Sequence, residues 1–396
     1  MALTMASVMS QKRDVERDVR VMVVDDSAVV RGLVSRWVNE EPGLVSVARY
    51  SNGKLAVDGV AESAPDVIIL DIEMPVMDGL TALPLILKAC PTAKVIMAST
   101  LTRRNAEISF KALSLGATDY IPKPESNSGV TTSAEFRQHL LEKIKVVGRR
   151  LIATSARRAA RSAPNSHSTV ASKAHATNAG QQQAAGAAQN ADQIQLRPFS
   201  LVRPRILTIG SSTGGPQALM SLFPQISPAL DTIPVLITQH MPPTFTTILA
   251  EHLGRVTSRV SKEGAEGDIV KPGVIYVAPG THHMTVREKD GNVVIHLDDG
   301  ERVNFCKPAV DPLFQSVSNI YGNATLAVVL TGMGQDGAAG GKVIADKGGS
   351  VIAQDEASSV VWGMPGATAA AGACSAVLPL NSIGPKITAL LRGVGR

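Results

Sequence analysis

The hydrophobic pattern falls into two alternating series separated by a stretch with no period. From Arg20 to about Arg150, short β-branched runs alternate with segments of helical spacing. The runs Val21–Val24, Val45–Arg49, Val67–Leu70, Val95–Ala98 and Tyr120–Ile121 read as strands. The segments near Val29–Asn39, Lys54–Glu62, Leu80–Ala89, Ala106–Leu115 and Ala134–Val147 read as amphipathic helices. Five βα units of this length predict a flavodoxin-like doubly wound α/β sheet. A second series, from Arg205 to Leu391, predicts another doubly wound, mainly parallel α/β sheet. Between them, from about 155 to 198, Ala, Ser, Gln and Asn dominate. Such a segment buries too little apolar surface to offset ordering, so it is expected to be a flexible linker. The expected division is a leader at 1–19, a first domain at 20–148, a linker at 149–202 and a second domain at 203–394. Met5 and Met9 are alternative starts within the leader.

The strand ends carry the chemistry. In open α/β sheets ligands sit beyond the carboxyl ends of the strands. In the first series Asp25 and Asp26 follow the first strand, Asp71 ends the third, Ser99 and Thr100 follow the fourth, and Lys123 follows the fifth. Three clustered carboxylates repel one another unless a cation lies among them. An all-oxygen set with room for water suits Mg²⁺, and Lys123 would face the anion that the metal recruits.

In the second series Arg205–Gly210 runs into Ser211-Ser-Thr-Gly-Gly215, Pro234–Gln239 into His240, and Thr325–Leu330 into Thr331-Gly-Met-Gly-Gln-Asp336. A hydroxyl at a helix N-terminus, an imidazole and a carboxylate thus reach one rim, the set that nucleophilic acyl transfer requires. His240 is the candidate base and Asp336 the acid that orients it. His282 and His283 compete for the first role, while Asp311 reads as capping or entering a helix. The Gly-rich turn lacks G-x-G-x-x-G spacing, which disfavours dinucleotide binding. The order Ser, His, Asp differs from the α/β-hydrolase, chymotrypsin and subtilisin orders.

Composition narrows the remaining classes. The net charge of +5 belongs to the linker. Eight Lys/Arg against one acid between Arg150 and Arg205 supply +7, leaving −2 elsewhere. With aromatics at 3%, neither a basic surface nor a stacking platform for nucleic acid is visible. No apolar run approaches the ~18 residues of a membrane span, and the charges near the start follow the apolar residues, unlike an export signal. Cys90, Cys306 and Cys374 have no metal-like spacing and read as reduced thiols in a cytoplasmic protein.

Asp71-Ile-Glu-Met-Pro-Val-Met-Asp-Gly79, with Asp25-Asp26 upstream and Lys123-Pro124 downstream, resembles the receiver domain of two-component response regulators. The resemblance implies phosphorylation of Asp71 by a histidine kinase. It implies Mg²⁺ held by Asp26, Asp71 and the main-chain carbonyl of Glu73, with Asp25 acting through water. Ser99, favoured over Thr100 by strand register, would bond the phosphoryl group and Lys123 would pair with it. Tyr120 stands at the aromatic switch position.

Ser211-Ser-Thr-Gly-Gly-Pro216, Ile237-Thr-Gln-His-Met-Pro-Pro243, Ala278-Pro-Gly280, Leu330-Thr-Gly-Met-Gly334, Asp336-Gly-Ala338 and Ile352-Ala-Gln-Asp-Glu-Ala357 resemble the catalytic domain of the chemotaxis receptor methylesterases, the CheB family. This resemblance implies Ser212 as nucleophile, His240 as base and Asp336 as its partner. Thr213 would neighbour the nucleophile, and the Met333 amide would stabilise the oxyanion. It implies hydrolysis of glutamate γ-methyl esters on receptor helices, with glutamine deamidation as a second activity and no metal at the esterase site. The protein would be recruited to membrane-bound receptor arrays. Gln335, Thr244 and Thr247 depart from the pattern, where Asn, Gly and Arg are usual. Rival expectations are a DNA-binding output, which the near-neutral second half disfavours, and a non-catalytic adaptor of the same fold, which the intact Ser212, His240 and Asp336 disfavour.

Overall fold

The computed structural model describes residues 17–124, 134–162 and 194–394. The first series builds β1 (Val19–Val24), α1 (Ala28–Glu40), β2 (Leu44–Tyr50), α2 (Gly53–Ser63), β3 (Val67–Asp71), α3 (Gly79–Ala89), β4 (Lys94–Thr100), α4 (Arg103–Ser114), β5 (Asp119–Lys123) and α5 (Ala134–Ser162). The strands are parallel in the order β2-β1-β3-β4-β5, the expected flavodoxin-like sheet. Alternation along each strand divides the core. Val21, Val23, Val67, Ile69 and Ile96 face α1 and α5, whereas Met22, Ile68, Leu70, Val95 and Met97 face α2, α3 and α4.

The expected linker is shorter at both ends. Helix α5 runs on to Ser162, because Ala is the strongest helix former and the Ala/Arg-rich sequence sustains the helix beyond 148. At the other end Arg197 and Ser200 are tied to the second sheet, with Arg197 N–H donating to Cys374 O at 2.8 Å and Ser200 Oγ to Asn323 O at 2.7 Å. The centre of the linker, at 163–193, and most of the leader, at 1–16, lie outside the described residues.

The second series builds β6 (Ile206–Ser211), α6 (Gly215–Ile226), β7 (Val235–Gln239), α7 (Phe245–Thr257), β8 (Ser261–Glu263), β9 (Ile275–Val277), β10 (His283–Lys289), β11 (Asn292–Asp298), α8 (Val310–Tyr321), β12 (Thr325–Val329), α9 (Ala338–Asp346), β13 (Ser350–Gln354), α10 (Gly363–Ala370), β14 (Ala376–Leu378) and α11 (Leu380–Leu391). Seven parallel strands run in the order β14-β13-β12-β6-β7-β9-β8. The chain winds outward from β6 in both directions, so the switch point, where a crevice opens, lies beside β6. The antiparallel hairpin β10–β11 was not anticipated, although Asp290-Gly291 at its tip, with φ of +51° and +74°, is a strong hairpin signal.

The two units share an interface. Tyr120 stacks on Phe245 with centroids 4.4 Å apart and planes 5° off parallel. Phe110 lies 4.9 Å from the His252 ring, Arg103 pairs with Glu251 at 2.7 Å, and Gln217 donates to the carbonyls of Leu113 and Ala117. On the other side, Val361 joins the apolar cluster of the α1–α5 face, with Met333 and Val360 packed against it. Among the described residues no helix is long and apolar enough to cross a membrane.

Candidate active site

Three neighbouring strands, β12, β6 and β7, supply the site. Chain direction reverses sharply after β6, where Gly214 adopts φ +74° and α6 begins. The two serines before this turn have different environments. Ser211 is fully buried and donates its hydroxyl to Gln239 Oε1 at 2.6 Å. Ser212 is half-buried, and among the described residues its hydroxyl has no hydrogen-bond partner. Gln239 Nε2 donates to Ser212 O at 2.9 Å, and Ser212 N–H donates to Thr331 O at 3.1 Å, so the backbone is fixed while the hydroxyl is free. Ser212 is therefore the better candidate nucleophile of the pair, just before the N-terminus of α6 where free amides favour negative charge.

His240 follows β7, its backbone N–H donating to Ser211 O at 3.0 Å. Its Nε2 donates to Asp336 Oδ2 at 2.7 Å. Asp336 is buried and collects further donors: Val310 N–H at 2.6 Å, Asp311 N–H at 3.0 Å, Gly337 N–H at 3.0 Å and Asn304 Nδ2 at 3.2 Å. Two of these amides open α8, so the helix dipole adds to the hydrogen bonds. Burial opposes ionisation of Asp336, but the His240 bond, the imidazolium charge and the Val310 and Asp311 amides hold it below the ordinary carboxylate value. Burial likewise pulls His240 down. The bonds to Asp336 and Cys306 outweigh it, and the imidazole is pushed up to about 10.

With Nε2 committed to Asp336, Nδ1 is the ring nitrogen left over for proton transfer. Cys306 Sγ lies 3.4 Å from Nδ1. Sequence reasoning passed over this thiol, having read Cys306 only for metal spacing. It also passed over Asn304, whose Nδ2 bridges Asp336 and Asp311 Oδ2, the latter at 3.0 Å. Asp311 does open α8, yet its Oδ1 accepts from Gly337 N–H at 3.0 Å and Gly340 N–H at 2.7 Å, capping α9 instead. Asp336 and Asp311 thus cap each other's helices, and burial beside Asp336 raises Asp311. No local pattern marks these contacts, because each depends on loops that meet only in the fold.

The competing histidines are placed elsewhere. His283 is buried, donating from Nε2 to Glu301 O at 2.9 Å and accepting from Ala309 N–H at 3.1 Å. His282 interacts with Thr281 Oγ1 at 2.8 Å. Thr213 is buried beside Ser212, with an unpartnered hydroxyl among the described residues. Gly332 packs so closely that a Cβ there would lie 2.9 Å from Ser212 Cβ, bringing the following Met333 close to Ser212. Among the described residues the Met333 N–H has no acceptor.

At the carboxyl rim of the first sheet the side-chain oxygens of Asp25, Asp26 and Asp71 lie within 4.8 Å of one another. Lys123 Nζ bridges Asp71 Oδ2 at 2.8 Å and Asp25 Oδ2 at 2.9 Å. Burial first, and then the Asp25 charge, push Asp71 up to about 6 against the pull of Lys123. This convergent anionic oxygen set fits a hard divalent cation. Glu73 is exposed two residues beyond Asp71. Ser99 is buried and directs its hydroxyl to the carbonyls of Thr100 and Asn105, at 3.3 and 3.4 Å, rather than to Asp71. Tyr120 is buried in the stack on Phe245.

Comparison with known proteins agrees with both halves. Residues 207–387 match the family described as CheB methylesterase, and residues 21–135 match the response regulator receiver domain. A protein-glutamate methylesterase/protein-glutamine glutaminase of Rhodopseudomonas palustris is 56% identical over 94% of each chain. One from Bradyrhizobium diazoefficiens is 55% identical, also over 94% of each. Among solved structures, the Thermotoga maritima CheB methylesterase catalytic domain is 40% identical, covering 47% of this chain and 98% of that one with a TM-score of 0.45.

Proposed function

The chain belongs to the CheB methylesterase family, and we propose that it is a receiver-controlled protein-glutamate methylesterase that also deamidates glutamine. Its substrates are methylated glutamates on the cytoplasmic helices of chemoreceptors, which would bring it to membrane-bound arrays. The observation that carries the reading is the hydrogen-bonded His240–Asp336 pair, with His240 following β7 and the unpartnered Ser212 hydroxyl following the adjacent strand β6.

Ser212 attacks the γ-carbonyl while His240 takes its proton at Nδ1. Asp336 holds the ring and stabilises the imidazolium. The Met333 amide donates to the developing oxyanion, supported by the N-terminus of α6. His240 returns the proton to the leaving methoxy group, releasing methanol. A water then repeats the sequence on the acyl-enzyme and frees the glutamate. Glutamine follows the same course with ammonia leaving.

In the receiver, Asp71 accepts a phosphoryl group from a histidine kinase. Asp26, Asp71 and the Glu73 carbonyl would hold Mg²⁺, with Asp25 acting through water. When bound, the ion neutralises the carboxylates and the incoming phosphate. Ser99 bonds the phosphoryl oxygens and Lys123 pairs with them. Tyr120, stacked on Phe245 at the start of α7, links this site to the loop that carries His240.

Methanol release from methylated receptor membranes tests the chemistry. It is expected to vanish in Ser212→Ala and survive in Ser211→Ala, provided the latter folds, as thermal melting checks. Undiminished release from Ser212→Ala would overturn the assignment and favour an adaptor role.

A further inference from the structure

One segment beside the triad does what its sequence disfavours. Val303 and Cys306 close a tight turn, with Val303 N–H to Cys306 O at 3.1 Å and Cys306 N–H to Val303 O at 2.9 Å. Its central residues, Asn304 and Phe305, both have positive φ, at +51° and +65°. This is the sign pattern of a type I′ turn, whose second central position favours glycine. Asn tolerates the left-handed region, but a bulky aromatic does so only under strain. Phe305 is also 88% exposed, the most exposed large apolar side chain among the described residues. A strained backbone presenting an aromatic ring to water gains nothing for the fold. Such outliers persist where surrounding contacts enforce them, commonly at functional sites.

Here the enforcing contacts are catalytic. On one side Asn304 holds Asp336 and Asp311, and on the other Cys306 meets His240 Nδ1 at 3.4 Å. Phe305 is thus one residue, about 3.8 Å in Cα spacing, from each of two side chains that touch the triad. The neighbouring chain is anchored as well: Lys307 pairs with Asp299 at 2.7 Å, and Arg302 with Glu135 of α5 at 2.7 Å. The ring therefore stays open to solvent while the receiver is docked.

We propose that Phe305 is a substrate-docking residue, an anchor that packs on an apolar side chain of the receptor helix within about one turn of the methylated glutamate. The inference rests on the function proposed above. It assigns part of substrate recognition to this turn, which would guide the γ-ester to Ser212 without touching the reacting atoms. A rigid, preformed anchor loses little freedom on binding.

The test compares full-length wild type with Phe305→Gly and Phe305→Tyr in methanol release from methylated receptor membranes, with acyl phosphate and Mg²⁺ present. Glycine suits the positive φ, so Phe305→Gly is expected to melt no lower than wild type. Its KM is expected to rise roughly tenfold with kcat changed less than about twofold, and Phe305→Tyr to restore the wild-type KM. An unchanged KM in Phe305→Gly would overturn docking. A fall in kcat at constant KM would also overturn it, by showing that the turn only positions the triad. Failure of the underlying reading is separate, since wild type itself would then release no methanol.

Discussion

Asp71 and Asp336 are both buried carboxylates, one closing β3 and the other just ahead of α9, yet their neighbours drive them in opposite directions. Asp336 is surrounded by donors and stays ionised. Asp71 has one cation shared with a second carboxylate and is pushed up to about 6 from 3.8. Below pH 3.8 both folded and unfolded Asp71 are protonated and the shift has no effect on stability. Above about 6 both are ionised, and the folded state bears the whole penalty, about 3 kcal/mol for a shift of some two pH units. Asp71→Asn is therefore expected to be more stable than wild type by up to about that amount at pH 7 and by little at pH 4. Urea titrations at the two pH values check this, and an equal difference at both would contradict it. His240 has the opposite consequence. Raised from 6.5 to about 10, it contributes stability that is complete below 6.5 and lost as pH rises through 10. Because a general base acts unprotonated, basal esterase activity should climb from neutral pH upward. Asp336→Asn is expected to lower the rate roughly 10³- to 10⁴-fold and move the rise back toward the ordinary imidazole range. A wild-type pH–rate profile already flat at pH 7 would contradict the charged pair.

At the level of elements, the link between β7 and α7 carries backbone strain. Thr244, where the family resemblance implies glycine, has φ +71° and ψ −46°, a region that β-branched residues avoid. Thr244→Gly should relieve this and stabilise the protein by about 1 kcal/mol, read as a higher denaturation midpoint at unchanged slope. A lower midpoint would mean that the Thr side chain compensates through packing. The sequence revealed the elements whose signals are local. The strands ending at Ser211, Gln239 and Val329 are apolar runs stopped by turn residues, and they delivered Ser212, His240 and Asp336 to one rim. The end of α5 was misjudged because composition, rather than helix propensity, set the linker boundary. Asn304, Cys306 and Asp311 were unreadable as a group. They lie on an aperiodic stretch whose partners are 32, 66 and 26 residues away in sequence, at Asp336, His240 and Gly337.

For the whole molecule, the interface defines the regulatory question. The receiver's α4–β5 face packs on α6 and α7, and Tyr120, the proposed switch aromatic, is stacked on the helix that follows His240. An apolar cluster also reaches Met333, the proposed oxyanion donor. A change at Asp71 that moves Tyr120 would thus act on two sides of the esterase site. Basal activity should be low while these contacts hold and rise when they loosen. The central claim is that Asp71 governs the chemistry of Ser212, and methanol release from methylated receptor membranes measures it directly, with and without a small acyl phosphate plus Mg²⁺. The account predicts release that requires Ser212 and rises with the phosphodonor in wild type but not in Asp71→Asn. Release that responds equally in Asp71→Asn would contradict it.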